Sequence, residues 1–209
     1  MFDDRADAGR RLAKILTHLG AEDVVVVGLP RGGVPVAYEV AHELGAPLDL
    51  ILVRKLGVPA QPELGMGAIG EDGVLIINQS VLEQANVTEQ QLTTVQASER
   101  SELARRVELY RKGRSRVPLR DRVVLIIDDG IATGSTARAA CEVARAEGAR
   151  RVILAVPVGP IGWTDRLAGV ADELIALTEP DQFSGVGQFY SDFTQTSDEQ
   201  VISYLDRQD

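Results

Sequence analysis

The sequence predicts an α/β fold, a mostly parallel twisted sheet flanked by helices. Two observations carry the prediction. Val24–Leu29 and Val123–Ile127 are short, continuous runs rich in Val and Ile, the mark of strands buried on both faces. After each run the pattern breaks, resumes at helical spacing and ends in another apolar run, which is the order of a βαβ unit.

Taken in order, residues 4–19 set Leu12, Ile15, Leu16 and Leu19 at helical spacing, and Gly20 is the stop signal. The strand Val24–Leu29 is broken by Pro30-Arg31-Gly32-Gly33. A helix is predicted over Val34–Leu44, ending at Gly45, and a second strand over Leu48–Val53. Leu56–Gly73 is rich in Gly and Pro and reads as a long loop, the kind that in a compact domain is functional or mobile. A short apolar piece, Val74–Ile77, and a polar helix from Thr88 to Lys112 follow. The second unit is the strand Val123–Ile127, a polar turn, a helix over Ser135–Glu147 stopped by Gly148, and the strand Val152–Val156. A last strand is expected at Glu173–Leu177 and a terminal helix near Ser197–Arg207. No linker composition interrupts the 209 residues, so residues 1–209 are read as a single domain.

Composition removes several function classes. Twenty-two basic against 31 acidic residues give a net charge of −9, which argues against a surface built to coat nucleic acid or anionic lipid. Residues 100–122 are the exception, with nine Arg or Lys and three acids. A solvated helix face or a subunit contact is the preferred reading of that strip, because stacking on bases would want interleaved aromatics and only Tyr110 is present. Cys141 is the single cysteine and His18 and His42 are the only histidines, too few for a zinc cluster or a disulfide framework. All three fall in helical segments and read as structural. Met1–Arg11 is charged and no run approaches the roughly 18 apolar residues of a spanning helix, so a cytoplasmic protein is expected.

The informative segment is Val123–Ala140, VVLIIDDGIATGSTARAA. Ligand crevices in parallel α/β sheets lie beyond the carboxyl ends of the strands, and this strand delivers Asp128 and Asp129 there. Ala132, Thr133, Gly134, Ser135 and Thr136 then lead into a helix. Small residues let backbone N–H groups approach an anion, the helix N-terminus adds partial positive charge, and three hydroxyls add donors. An acid pair beside such a cradle suits a sugar phosphate. Capping chemistry alone would explain an isolated Thr-Gly-Ser-Thr, but not two acids flush against five apolar residues. A Walker loop fails because no lysine follows Gly134, and the glycines do not fall as G-x-G-x-x-G.

This segment resembles the phosphoribosyl diphosphate (PRPP) binding motif of type I phosphoribosyltransferases, departing from it at Gly130, where an aliphatic residue is usual and where the glycine should loosen the turn. The resemblance implies that Asp128 and Asp129 bind the ribose hydroxyls and that Ala132–Thr136 hold the 5-phosphate. Leu29–Pro35 resembles the loop that grips the diphosphate in xanthine and guanine phosphoribosyltransferases. Gly32 and Gly33 permit amides to face an anion there, and Arg31 adds a fork of donors. Arg54 and Lys55 resemble the pair that precedes a mobile lid in orotate phosphoribosyltransferases, with the flexible loop about 56–73 as the lid. A C-terminal hood, about 178–196, resembles the region that covers the base in hypoxanthine-guanine enzymes. Four of the chain's nine aromatic residues lie within 183–193. The resemblance implies Phe183 and Tyr190 at the base and Asp192 toward a metal, although two extra residues separate these landmarks.

The function implied is Mg²⁺-dependent transfer of the 5-phosphoribosyl group from PRPP to a nitrogenous base, with release of diphosphate, in nucleotide salvage. Catalysis is assigned to Asp128, Asp129, Arg54 and Lys55, with Glu63 the candidate general base. Ala132 stands where 6-oxopurine enzymes carry an aspartate, and Val156–Pro160 lacks the lysine that reads a 6-oxo group, so hypoxanthine and guanine are not specifically implied. A homodimer is usual in the resembling family; neither a membrane nor nucleic acid is expected as a partner. The rivals are a non-catalytic PRPP-sensing regulator of the same fold, which would need the 100–122 strip as a nucleic-acid surface, and another phosphate-sugar binder.

Overall fold

A computed structural model describes residues 1–207 of the chain. The elements are α1 (Arg5–Leu16), β1 (Val24–Gly28), α2 (Gly33–Leu44), β2 (Leu48–Leu50), β3 (Val53–Val58), β4 (Gln61–Gly70), β5 (Leu75–Ile77), α3 (Gln79–Gln84), α4 (Glu89–Arg111), β6 (Val123–Ile127), α5 (Ser135–Ala146), β7 (Arg151–Val158), α6 (Trp163–Arg166), β8 (Glu173–Thr178) and α7 (Asp198–Asp206). Five parallel strands form one sheet in the order β2-β1-β6-β7-β8. This is the predicted α/β architecture.

Alternation along the central strands divides the core in two. Val24 and Val26 of β1, with Val123, Leu125 and Ile127 of β6, pack toward α1, α2, α4 and α7. Val25, Val27, Val124 and Ile126 pack on the other side, against Ala140, Val143 and Trp163 of α5 and α6. β1 and β6 are therefore without a polar side chain at any position, as burial on both faces demands. Local signals set the helix ends. The Asp4 carboxylate accepts from the Asp7 N–H and caps α1, Gly45 ends α2 at φ +62°, and reciprocal bonds between Thr88 and Gln91 box the start of α4. α1 stops at Leu16, and a 3₁₀ turn carries the chain through Leu19. Of the four apolar residues at helical spacing, Leu12, Leu16 and Leu19 are buried and Ile15 is 44% exposed.

Two expectations are corrected. The predicted strand Leu48–Val53 is cut short: β2 ends at Leu50, the chain leaves the parallel sheet through buried Ile51 and Leu52, and Val53 opens a different sheet. Leu56–Gly73 is not a loop. β3, β4 and β5 form an antiparallel sheet, and a 3₁₀ turn over Glu71–Gly73 joins the last two. The glycines taken as loop punctuation are close approaches of backbone within that sheet: a Cβ on Gly57 would come within 2.5 Å of the Pro62 carbonyl oxygen, and one on Gly67 would collide with that of Ile76.

The basic strip 100–122 is largely spent inside the molecule. Arg111 is 7% exposed; it is held bidentately by Glu71, donates to Asp49 and also reaches the Leu50 carbonyl. Arg116 bridges Asp72 and Glu147, Arg114 reaches Asp206, and Arg122 pairs with Asp23. Arg105 and Arg106 share Glu102. No helix among the described residues is long and apolar enough to cross a membrane.

Candidate functional site at the carboxyl edge of the sheet

β1 and β6 are neighbours with Gly28 opposite Ile127, so their two following turns emerge side by side. The first is Leu29–Gly32, in which the Pro30–Arg31 peptide is cis. Its glycines are required by contact. A Cβ on Gly33 would lie 2.6 Å from the Ile127 carbonyl oxygen and 2.8 Å from Asp128 Cα, and one on Gly32 would collide with the Asp129 carboxylate. The Gly-Gly pair thus lets the first turn lie on the acid pair.

Asp128 and Asp129 follow β6 directly. Asp128 Oδ1 accepts the Asp129 N–H at 2.9 Å, and Asp129 Oδ2 accepts from Arg5 Nε at 2.8 Å. Burial pushes both carboxyls above the ordinary range; at Asp128 the charge of Asp129 adds to the rise, and at Asp129 the Arg5 guanidinium opposes it. Gly130 does not loosen the turn. It is buried, and a Cβ there would run into Val186 and Val158, so the glycine lets hood and strand close over the turn.

The cradle continues from the acid pair into α5. Gly134 occupies the cap position at φ +78° and offers no side-chain cap; of the first amides of α5 the Ser135 N–H reaches Thr133 Oγ1, at 3.5 Å. Thr133 and Thr136 are exposed beside it, and Thr133 Oγ1 lies 3.4 Å from Ser135 Oγ. Ala132 is exposed, and Arg166 donates to its carbonyl at 3.3 Å.

A cavity of about 530 Å³ brings Thr136 together with Pro30, Arg54, Lys55, Glu99 and Arg106. Arg54 is held by Glu99 of α4 at 2.6 Å, and Lys55 by Glu63 at 3.3 Å. A second cavity of about 510 Å³ is lined by Thr133, Gly134, Ser135 and Arg138, with Lys55 and Glu63 again on its wall. Lys55 and Glu63 therefore stand between the two spaces. Glu63 is 84% exposed along its side chain and is tied to Lys55 on the β3–β4 hairpin. Arg31 is partly exposed, 3.9 Å from Asp198, which also accepts the Tyr110 hydroxyl at 2.5 Å.

The hood residues divide. Phe183 is half-buried and stacks on Phe189, ring centroids 5.7 Å apart. Tyr190 is not offered to a base: it is 6% exposed, its hydroxyl donates to the Asp129 carbonyl at 2.6 Å, and its ring packs between Phe2 and Phe193. A buried tyrosine needs a partner for its hydroxyl, and this one is a strut beneath the acid pair. Asp192 is exposed; the Thr194 side chain, together with the Thr194 N–H that it accepts at 2.8 Å, holds its carboxyl below the usual range. Among the described residues no group of three or more His, Cys, Asp or Glu could cage a metal ion. Cys141 is buried, its thiol pushed up to about 12 by desolvation, and Trp163 is a core residue whose indole N–H donates to Glu179. Arg5 and Glu99 had no signal in the sequence, because each reaches the site from an element remote along the chain; Arg106 belongs to the basic strip 100–122, whose expected place is a solvated face or subunit contact rather than this cavity.

The model of the phosphoribosyl transferase domain matches residues 3–193. The chain belongs to this family. It is 56% identical over 207 residues to proteins of two Mycobacterium tuberculosis strains that are named, provisionally, as phosphoribosyl transferases; the match takes in 99% of this chain and 47% of theirs. The chain thus spans about half the length of the curated relatives it matches. It also resembles the crystal structure of TT1426 from Thermus thermophilus, at 44% identity and a TM-score of 0.91, covering 98% of this chain and 97% of that one. The five-stranded parallel sheet with its flanking helices is therefore the fold of that family.

Proposed function

We propose that this domain transfers the 5-phosphoribosyl group of PRPP to a nitrogenous base and releases diphosphate. The observation that carries the reading is the junction of two turns on neighbouring strands, where the half-buried pair Asp128 and Asp129 adjoins the Ala132–Thr136 cradle. Asp128 and Asp129 take the ribose hydroxyls. The backbone from Ala132 to Thr136, at the open start of α5, takes the 5-phosphate. Arg31, Gly32 and Gly33 take the diphosphate from one side, and Arg54 and Lys55 face it from the cavity shared with Thr136.

The reaction breaks the bond from C1 to the diphosphate oxygen, leaves its electron pair on diphosphate, and forms a C1–N bond, the proton of the attacking N–H passing to Glu63, the candidate general base on the wall of both cavities. Little covalent help is needed from the protein. It holds the sugar still, neutralises the leaving group and sets two carboxylates near a carbon that develops positive charge. The donor set present suits Mg²⁺, which keeps several waters and needs one or two carboxylates besides substrate oxygens; Asp192 is the residue proposed to face it, and the ion would neutralise diphosphate charge. The β3–β4 hairpin takes the place of the expected lid, bringing Lys55 and Glu63 over the crevice and excluding water. Phe183 is the ring proposed to stack on the base. The sensor reading loses support because the arginines it needs are engaged in intramolecular ion pairs.

A panel of free bases with PRPP and Mg²⁺, read by diphosphate release, is expected to single out one acceptor class. Calorimetry with PRPP and Mg²⁺ is the control: absence of binding at millimolar ligand ends the proposal.

A further inference from the structure

Arg5 is an unexpected residue where it stands. It occupies the first position of α1, where a cation opposes the helix dipole. Its place therefore does not serve the helix. The side chain pairs with a residue 124 positions further along the sequence, in the acid pair, and its guanidinium is engaged at two nitrogens and on its face. Nε donates to Asp129 Oδ2 at 2.8 Å, and Nη1 donates to the Thr194 carbonyl at 2.7 Å. The Phe193 ring covers its face at 4.0 Å, with the Tyr190 ring centroid at 6.0 Å. The chain makes room for this pair, since a Cβ on Gly32 would collide with the Asp129 carboxylate and lie 3.2 Å from Arg5 Nε. Backbone bonds bind the same corner together: Phe2 N–H to the Phe189 carbonyl at 2.7 Å, and the Ser191 and Asp192 N–H groups to the Phe2 and Asp3 carbonyls, each at 2.8 Å.

We infer that Arg5 is a positioning residue for the ribose-binding carboxylate: it holds Asp129 by one oxygen, leaves Oδ1 for the sugar, and ties the hood strand 189–194 to the acid pair. The inference rests on the ribose role given to Asp129 above. Arg5 does not touch the sugar in this arrangement. It fixes the carboxylate before ligand arrives, so no reorganisation is spent when the hydroxyl docks. Its planar fork can donate to Asp129 and Thr194 together while its face lies on Phe193, which a lysine ammonium cannot do. The N-terminal residues thus belong to the site although no motif marks them.

The test is a double-mutant cycle on the full chain, with PRPP and Mg²⁺ affinity read by calorimetry and folding by circular dichroism. Arg5→Met is expected to weaken PRPP about tenfold, and Arg5→Lys to recover part of that loss. The combined Arg5→Met, Asp129→Asn protein is expected to bind no worse than Asp129→Asn alone, because Arg5 acts through that carboxylate. A merely structural role would make the two losses multiply, and that result overturns the inference. So does an Arg5→Met protein that binds PRPP like wild type while Asp129→Asn does not. If Asp129→Asn itself binds normally, the ribose assignment fails first and Arg5 loses its role with it. Should Arg5→Met fail to fold, the Arg5→Lys cycle carries the same comparison.

Discussion

Two clusters of buried charge in this molecule are solved in opposite ways. At the end of α4, Arg111 lies between Asp49 and Glu71, and both oxygens of each carboxylate accept a hydrogen bond: Asp49 from Arg111 and from the Leu50 and Val117 N–H groups, Glu71 twice from Arg111. At the carboxyl edge of the sheet, the Arg5 guanidinium pairs with Asp129, Asp128 accepts the Asp129 N–H, and burial leaves both carboxyls raised. The first cluster is complete and joins β2, the Glu71 turn and α4. The second lacks donors, so it is poised for a ligand that supplies hydroxyl groups or positive charge. Buried charge by itself does not mark a functional site; incomplete compensation does.

The comparison can be broken first at its stronger member. Arg111→Met strands two buried carboxylates and is expected to cost about 3–5 kcal/mol in urea unfolding; a loss under about 1 kcal/mol would remove the contrast. Next, Asp129→Asn is expected to leave folding intact and weaken PRPP binding or turnover at least about tenfold, about 1.4 kcal/mol, and kinetics like wild type would refute that carboxylate's assignment.

Asp128→Asn sharpens the other side. Because the folded protein raises this carboxyl's pKa, the neutral form is favoured: its contribution is intact below the unfolded value near 3.8 and is lost as pH rises through the raised folded value. Asn cannot ionise, so the variant should melt higher than wild type at pH 7, by about 2–4 °C per kcal/mol relieved, with the gain vanishing near pH 4. A gain that grows toward acid would reverse the sign and contradict the burial argument. The smallest effect belongs to Arg122, whose partner Asp23 is mostly exposed. Arg122→Gln should change stability by less than about 1 kcal/mol, and a larger loss in the same urea assay would show that surface pairs here matter more than their exposure allows.

Much of this was legible in the primary structure. The runs Val24–Val27 and Val123–Ile127 announce buried parallel strands because sheet burial on two faces needs apolar residues at consecutive positions. Asp128, Asp129 and the following small residues are adjacent along the chain, so their chemistry could be read together. The antiparallel sheet was missed because Gly57, Gly65, Gly67 and Gly70 look like loop residues until the strand beside them is known. Tyr190 was misread for a related reason: a tyrosine stacking on a base and one bracing a turn are the same letter, and only its 2.6 Å bond to the Asp129 carbonyl separates them.

What the sequence determined by itself is therefore local: periodicity, caps, and the acid pair with its cradle, each written within a few residues. The tertiary structure alone decided which remote side chains pair with the candidate site residues: Arg5 on Asp129, Glu99 on Arg54, Asp198 beside Arg31. The reason is physical. Hydrogen bonds and ion pairs act over a few ångströms, while their partners here are separated by tens to more than a hundred residues, and only the packed sheet and its helices bring those distances together.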